Sequence, residues 1–269
     1  MEKSIRVDGL NICYLEEGSG PAVIFLHGAS LGSSARVFER NLPAIARAGF
    51  RAIAYDQPGF GLSDNPSDYT VSYRTAFILK FMDALGLQRT ALVGHSQAAG
   101  MAIRVALRDP ARVSHLMAVG GGTVLPPLPG KTGGGPGEGQ EGTSAAPTLE
   151  DMRKILETNF FDKTLITPEL LQKRLEMSVG KNFNAFRERS KAREPQKDPV
   201  PLHERLKEVS VPLLLLYGQQ DRGSAAERCA LLKQQQPALR VELIDRASHM
   251  VMWEAADQFN RIAIDFLKS

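Results

Sequence analysis

Short apolar runs recur along the chain at residues 5–7, 12–15, 22–26, 52–55, 90–93, 113–119, 213–217 and 241–244. From the third onward they are continuous rather than alternating, the pattern of strands covered on both faces. Between them, at 37–47, 73–85, 97–107, 225–235 and 254–267, apolar residues fall at three- and four-residue spacing, which predicts amphipathic helices. This alternation predicts an α/β fold: an eight-stranded, mostly parallel sheet with helices on both faces, led by an N-terminal hairpin.

The rhythm breaks after Gly122. Residues 126–147 are rich in glycine and proline, among them Pro126, Pro127, Pro129 and Pro136, and predict a mobile loop. Helical spacing resumes between Thr148 and Ser190, with Thr148 as an N-cap and Asp151 three residues on. A second polar stretch, 193–201, leads back to the strand at Leu213. The span 123–208 is too long for an ordinary crossover and is expected to be a helical lid. It would be inserted into a core domain made of residues 1–122 and 209–269.

Composition narrows the class without naming a function. A chain of 269 residues can bury a sizeable core. A net charge of +3 argues neither for nor against a nucleic-acid partner, because the basic residues are scattered. Their one cluster, Arg187, Arg189, Lys191 and Arg193, is expected to be a solvated helix face. Cys13 and Cys229 are too few for a disulfide framework and lack metal-site spacing, which suits a reducing, cytoplasmic setting. No apolar run is long enough to span a bilayer, and no signal-peptide core precedes the first strand.

Candidate chemistry centres on residues 91–98, Ala-Leu-Val-Gly-His-Ser-Gln-Ala. An apolar run ends in Gly94, Ser96 follows two positions later, and small residues open a helix. This is the pattern of a strand turning sharply into a helix with a serine at the apex. A serine needs a base, and His249 follows the last strand just ahead of a long amphipathic helix. His27 is expected to shape its loop, His95 to point away from the apex, and His115 and His203 to be structural. Asp221, past the strand at 213–217, is the expected acid, with Asp245 as its rival. The backbone N–H groups of Ala29 and Gln97 are the expected oxyanion donors.

The motifs Leu26-His27-Gly28, Asp56-Gln57-Pro58-Gly59-Phe60-Gly61-Leu62-Ser63-Asp64, the Ser96 turn, Asp221 and His249 together resemble the α/β-hydrolase superfamily. Within it, the stretch from His249 to Phe266 and the segment from Leu165 to Arg174 are similar to the meta-cleavage product hydrolases. Those enzymes cleave a carbon–carbon bond in diketone-type acids made by aromatic ring fission. The resemblance implies that Arg174 binds a substrate carboxylate and that His95, Ser30 and Met250 line the substrate pocket. This chain departs from that subfamily by carrying His95 and Gln97 around the serine, Met250 after the histidine, and a short Gly28-Ala29-Ser30 loop.

The expectation is a cytoplasmic serine-type hydrolase of a small-molecule substrate, with no metal or organic cofactor and no nucleic-acid or membrane partner. A homodimer is possible. A carboxylesterase or lactonase with the same triad, a ligand-binding receptor on this fold and cofactor-free oxygenation remain alternatives.

Overall fold

The computed structural model describes residues 1–130, 146–194 and 199–269. Most of the expected loop at 126–147 therefore lies outside the described residues, as does part of the stretch at 193–201. The chain opens with strands β1 (Glu2–Val7) and β2 (Leu10–Glu17), paired antiparallel with Ile5 opposite Ile12. Asp8 and Gly9 join them at φ values of 52° and 81°, as the preferred two-residue hairpin turn requires.

Six strands follow: β3 (Ala22–Leu26), β4 (Arg51–Tyr55), β5 (Thr90–His95), β6 (Val113–Val119), β7 (Leu213–Gly218) and β8 (Arg240–Ile244). All eight form one sheet in the order β1-β2-β4-β3-β5-β6-β7-β8. β2 meets β4 antiparallel, and every other pairing beyond it is parallel.

Alternate residues of the central strands enter two separate cores, which is why these strands are apolar throughout. Val23 and Phe25 of β3 pack with Leu42 and Ile45 of α1 (Leu42–Arg47) on one face. Ile24 and Leu26 pack on the other face with Phe77 and Phe81 of α2 (Val71–Ala84) and Ala102 of α3 (Gln97–Arg108).

The connection from β6 to β7 holds α4 (Leu149–Glu157), α5 (Pro168–Glu176) and α6 (Lys181–Lys191). Thr148 and Asp151 form the expected capping box: the Thr148 oxygen accepts from the Asp151 N–H, and the Asp151 carboxylate from the Thr148 N–H. The connection is tied to loops at the carboxyl ends of strands. Asn182 Nδ2 donates to Gly61 O at 3.0 Å, and Met250 N–H to Asn159 O at 3.1 Å.

One helix differs from expectation. Residues 37–47 are not one helix but a 3-10 turn at Ala35–Phe38 followed by α1. Buried Asn41 turns inward to donate to Met252 O and Asn260 Oδ1, and Pro43, which has no N–H to give, sits in the first turn of α1. Past α7 (Ala225–Gln235), the helix expected at 254–267 is α9 (Ala256–Leu267), preceded by the short α8 (Val251–Glu254), with Ala255 leaving helical geometry between them. Among the described residues no helix is long and apolar enough to cross a membrane.

Candidate active site

Ser96 stands at the turn from β5 into α3 with φ 58° and ψ −123°, a strained conformation for a residue with a side chain. The turn requires Gly94: a Cβ there would strike the Ala98 carbonyl and come within 2.9 Å of Ala99 Cα. Ala98 is fully buried, so the extra methyl relative to the usual glycine is accommodated.

His249 Nε2 lies 3.0 Å from Ser96 Oγ, and His249 Nδ1 lies 3.1 and 3.3 Å from the two Asp221 oxygens. A carboxylate only accepts, so Nδ1 carries the proton toward Asp221 and Nε2 offers its lone pair to the serine. His249 and Asp221 are 6% and 7% exposed, so the array is shielded while Ser96 is half-buried. Glu254 holds the loop before the histidine by accepting from Ser248, Phe161 and Asp162 N–H groups. The rival Asp245 is exposed and accepts from Gln220 Nε2 instead.

The loop after β3 lies against the serine. A Cβ on Gly28 would sit 2.9 Å from Ser96 Cβ. Among the described residues, neither the Ala29 nor the Gln97 N–H makes a backbone hydrogen bond, and both residues are half-buried beside Ser96. Such free N–H groups are what an oxyanion would need.

Two other histidines are structural. His27 donates from Nδ1 to Gly28 O at 2.7 Å and accepts at Nε2 from the Gln57 N–H at 3.0 Å. Full burial lowers its pKa to about 3. His95 is buried beside the His249 ring, and its Nε2 donates to His249 O at 2.9 Å; burial holds its pKa well below the usual value. The structure thus gives His95 a contact with the loop of the base, on a ring that is 4% exposed.

Arg174 projects from α5 and is 7% exposed. Its Nη2 donates to Ser30 Oγ at 2.7 Å, and among the described residues its Nε has no partner. Burial lowers its pKa to about 10, so it stays protonated at neutral pH. It makes no ion pair among the described residues. Arg174 and Met250 line a cleft of about 350 Å³ whose apolar wall includes Leu156, Phe160, Leu170 and Trp253.

The sequence reading missed three other arginines. Arg222, directly after Asp221, donates from Nη2 to His249 Nε2 at 3.2 Å. Arg74 of α2 is buried and reaches Gln97 Oε1. Arg189 belongs to the cluster expected to be solvated; Arg187, Lys191 and Arg193 are exposed, but the Arg189 guanidinium lies 3.7 Å over the Phe60 ring centre. Only the adjacency of Arg222 to the acid carried any signal in the sequence. Among the described residues, no group of three or more His, Cys, Asp or Glu side chains could hold a metal ion.

A serine–histidine–aspartate array at the carboxyl ends of a doubly covered, mostly parallel sheet defines a class of enzyme. Residues 21–256 match the family of the alpha/beta hydrolase fold, and the chain belongs to it. Among its curated relatives are hydrolases named for 2-hydroxy-6-oxo-dienoate acids. It is 33% identical, over 96% of its length and 91% of theirs, to a 2-hydroxy-6-oxononadienedioate/2-hydroxy-6-oxononatrienedioate hydrolase of Burkholderia vietnamiensis. It is 31% identical, with 96% and 91% covered, to a 2-hydroxy-6-oxo-6-phenylhexa-2,4-dienoate hydrolase of Comamonas testosteroni. In three dimensions it is similar to a meta-cleavage product hydrolase of Pseudomonas fluorescens, with a TM-score of 0.83 and 26% identity over 99% of this chain and 97% of that one. The chain is a hydrolase resembling the meta-cleavage product enzymes.

Proposed function

We propose that this protein hydrolyses a carbon–carbon bond in a 2-hydroxy-6-oxo-dienoate acid formed by aromatic ring fission. Ser96 is the nucleophile, His249 the base and Asp221 the residue that orients and stabilises the imidazolium. The observation that carries the substrate class is Arg174: a buried, protonated guanidinium bonded, among the described residues, only to Ser30 Oγ, one short loop from the nucleophile. A cation left this way suits a carboxylate, which its planar fork can bind through two hydrogen bonds. The names of the relatives point to the same substrate class.

The dienol first ketonises, and Ser96 Oγ then adds to the C6 ketone as His249 Nε2 takes its proton. The new oxyanion is held by the Ala29 and Gln97 N–H groups. Collapse breaks the C5–C6 bond. The released electron pair is delocalised into the carbonyl next to the carboxylate that Arg174 holds, and His249 returns its proton to the resulting enolate oxygen, which leaves a 2-hydroxydienoate. Water, deprotonated by His249, then releases the acyl group from Ser96 as an acid. In the 123–208 connection, α4 to α6 act as the lid that supplies Arg174 and limits water.

The test is a comparison of 2-hydroxy-6-oxo-6-phenylhexa-2,4-dienoate with p-nitrophenyl butyrate. The proposal expects rapid bleaching of the dienoate chromophore and slow ester turnover. Ester turnover with no dienoate cleavage would assign the same triad to a carboxylesterase or lactonase.

A further inference from the structure

Arg174 is not the only uncompensated cation at this site. Arg74 is 3% exposed, and among the described residues its guanidinium hydrogen-bonds only to neutral amides: Nη2 donates to Gln97 Oε1, Nη1 to Gln57 Oε1 at 3.4 Å, and Nε has no partner. Among the described residues the Arg189 guanidinium makes one hydrogen bond, to Gly59 O at 2.7 Å, and otherwise lies on the Phe60 ring. Arg74 approaches the same ring, 5.6 Å from its centre. Among the described residues neither arginine makes an ion pair.

The candidate counter-charges are otherwise engaged. Glu194, whose field reaches Arg74, accepts from the Val71 and Ser72 N–H groups and the Ser72 hydroxyl. The Tyr55 hydroxyl is buried and held in its neutral form by desolvation. Burial lowers Arg74 to about 10 and Arg189 to about 9, so both carry charge at neutral pH. Two desolvated cations sharing one aromatic ring, with no acid between them, make a costly arrangement.

Arg74 also orients Gln97. A guanidinium offers only donors, so the Gln97 amide must turn its oxygen toward Arg74. The other end of that amide, Nε2, then presents two N–H donors that make no hydrogen bond among the described residues. Gln97 is half-buried and adjacent to Ser96. An amide polarised by a cation behind it is a stronger donor than a free one. What such a group recognises is an anionic acceptor.

We propose that the Gln97 side-chain amide, oriented by Arg74 and backed by Arg189, is a second carboxylate-recognising pole that selects substrates acidic at both ends. This rests on Arg174 taking the dienol-side carboxylate, as proposed above. The Gln97 pole then receives the carboxylate on the acyl fragment. Arg74 is a positioning residue here, acting through Gln97.

The experiment compares kcat/KM for 2-hydroxy-6-oxononadienedioate, a diacid, with that for 2-hydroxy-6-oxo-6-phenylhexa-2,4-dienoate, a monoacid. It uses the full-length wild type, Arg74→Met and Arg189→Met. A charge-assisted hydrogen bond corresponds to a factor of about 10–100. The wild type is expected to prefer the diacid, and Arg74→Met to lower the diacid-to-monoacid ratio by that factor, with Arg189→Met shifting it the same way by less. Thermal melting checks folding, and if Arg74→Met does not fold, Arg189→Met carries the comparison. A wild type preferring the monoacid, or a ratio unchanged in the folded variants, overturns the second pole and leaves the carbon–carbon reading standing. Failure of the wild type to cleave either dienoate removes that reading, and the second pole with it.

Discussion

Replacing Arg174 with methionine separates substrate binding from folding, because the two respond in opposite directions. Burial lowers the Arg174 guanidinium from 12.5 to about 10. At 1.36 kcal/mol per decade, keeping that charge in the folded protein costs about 3 kcal/mol. Methionine has no charge to desolvate and a flexible stem that fills irregular space. The change forfeits the hydrogen bond to Ser30 Oγ, a net loss of about 1 kcal/mol. The expected balance is about 2 kcal/mol of added stability, or a Tm about 4–8 °C higher for a chain of this size. Activity moves the other way. Removing one partner of a buried charge pair costs about 2–5 kcal/mol, so kcat/KM for a dienoate acid is expected to fall at least 30-fold, and for p-nitrophenyl butyrate by much less. Thermal melts and steady-state kinetics on one preparation read both quantities. A lower Tm with parallel losses on both substrates would refute the reasoning, because Arg174 would then be a structural tie.

Three further substitutions probe the site. His27 is buried with a pKa of about 3 against 6.5 when exposed, so between these values the unfolded chain binds more protons than the folded one. Its contribution is intact above pH 6.5 and is lost as the pH falls toward 3, reaching about 2 kcal/mol by pH 5. His27→Asn is therefore expected to flatten the decline of the urea midpoint between pH 7 and 5, and an unchanged slope would count against a neutral buried imidazole. Gly28→Ala places a methyl 2.9 Å from Ser96 Cβ and is expected to lower kcat at least tenfold (about 1.4 kcal/mol) with little change in Tm; full activity would mean that the loop is free to move away. Asp221→Asn is expected to lower kcat by about 10⁴, whereas exposed Asp245→Asn stays near wild type, and equal losses would return Asp245 to candidacy.

The strands were legible because two-sided burial writes an unbroken apolar run, as in β3, β5 and β7. Thr148 with Asp151 was legible for a similar reason, since a helix cap is a local signal. Ser96, His249 and Asp221 could be located because a strand-to-helix turn and two strand-end loops impose a chain order.

The break at Asn41 was not visible. Asn41 turns inward only because Met252 and Asn260 are there to accept its hydrogen bonds, and those lie more than 200 residues away. The same holds for Arg74 and Arg189. In periodicity Arg74 is an ordinary polar position of a helix, and Arg189 is one of four basic residues on another. Their approach to the Phe60 ring exists only where α2, α6 and the loop carrying Phe60 converge. His95 was readable as pointing away from the turn apex, but not its hydrogen bond to the His249 carbonyl.

The most direct test of the account is product analysis after 2-hydroxy-6-oxo-6-phenylhexa-2,4-dienoate is incubated with the protein in ¹⁸O-enriched water. Hydrolysis of the C5–C6 bond through Ser96 predicts benzoate carrying the water oxygen together with 2-hydroxypenta-2,4-dienoate, and neither product from Ser96→Ala. Failure of the wild type to cleave both this dienoate and 2-hydroxy-6-oxononadienedioate, or cleavage that persists in Ser96→Ala, would contradict it.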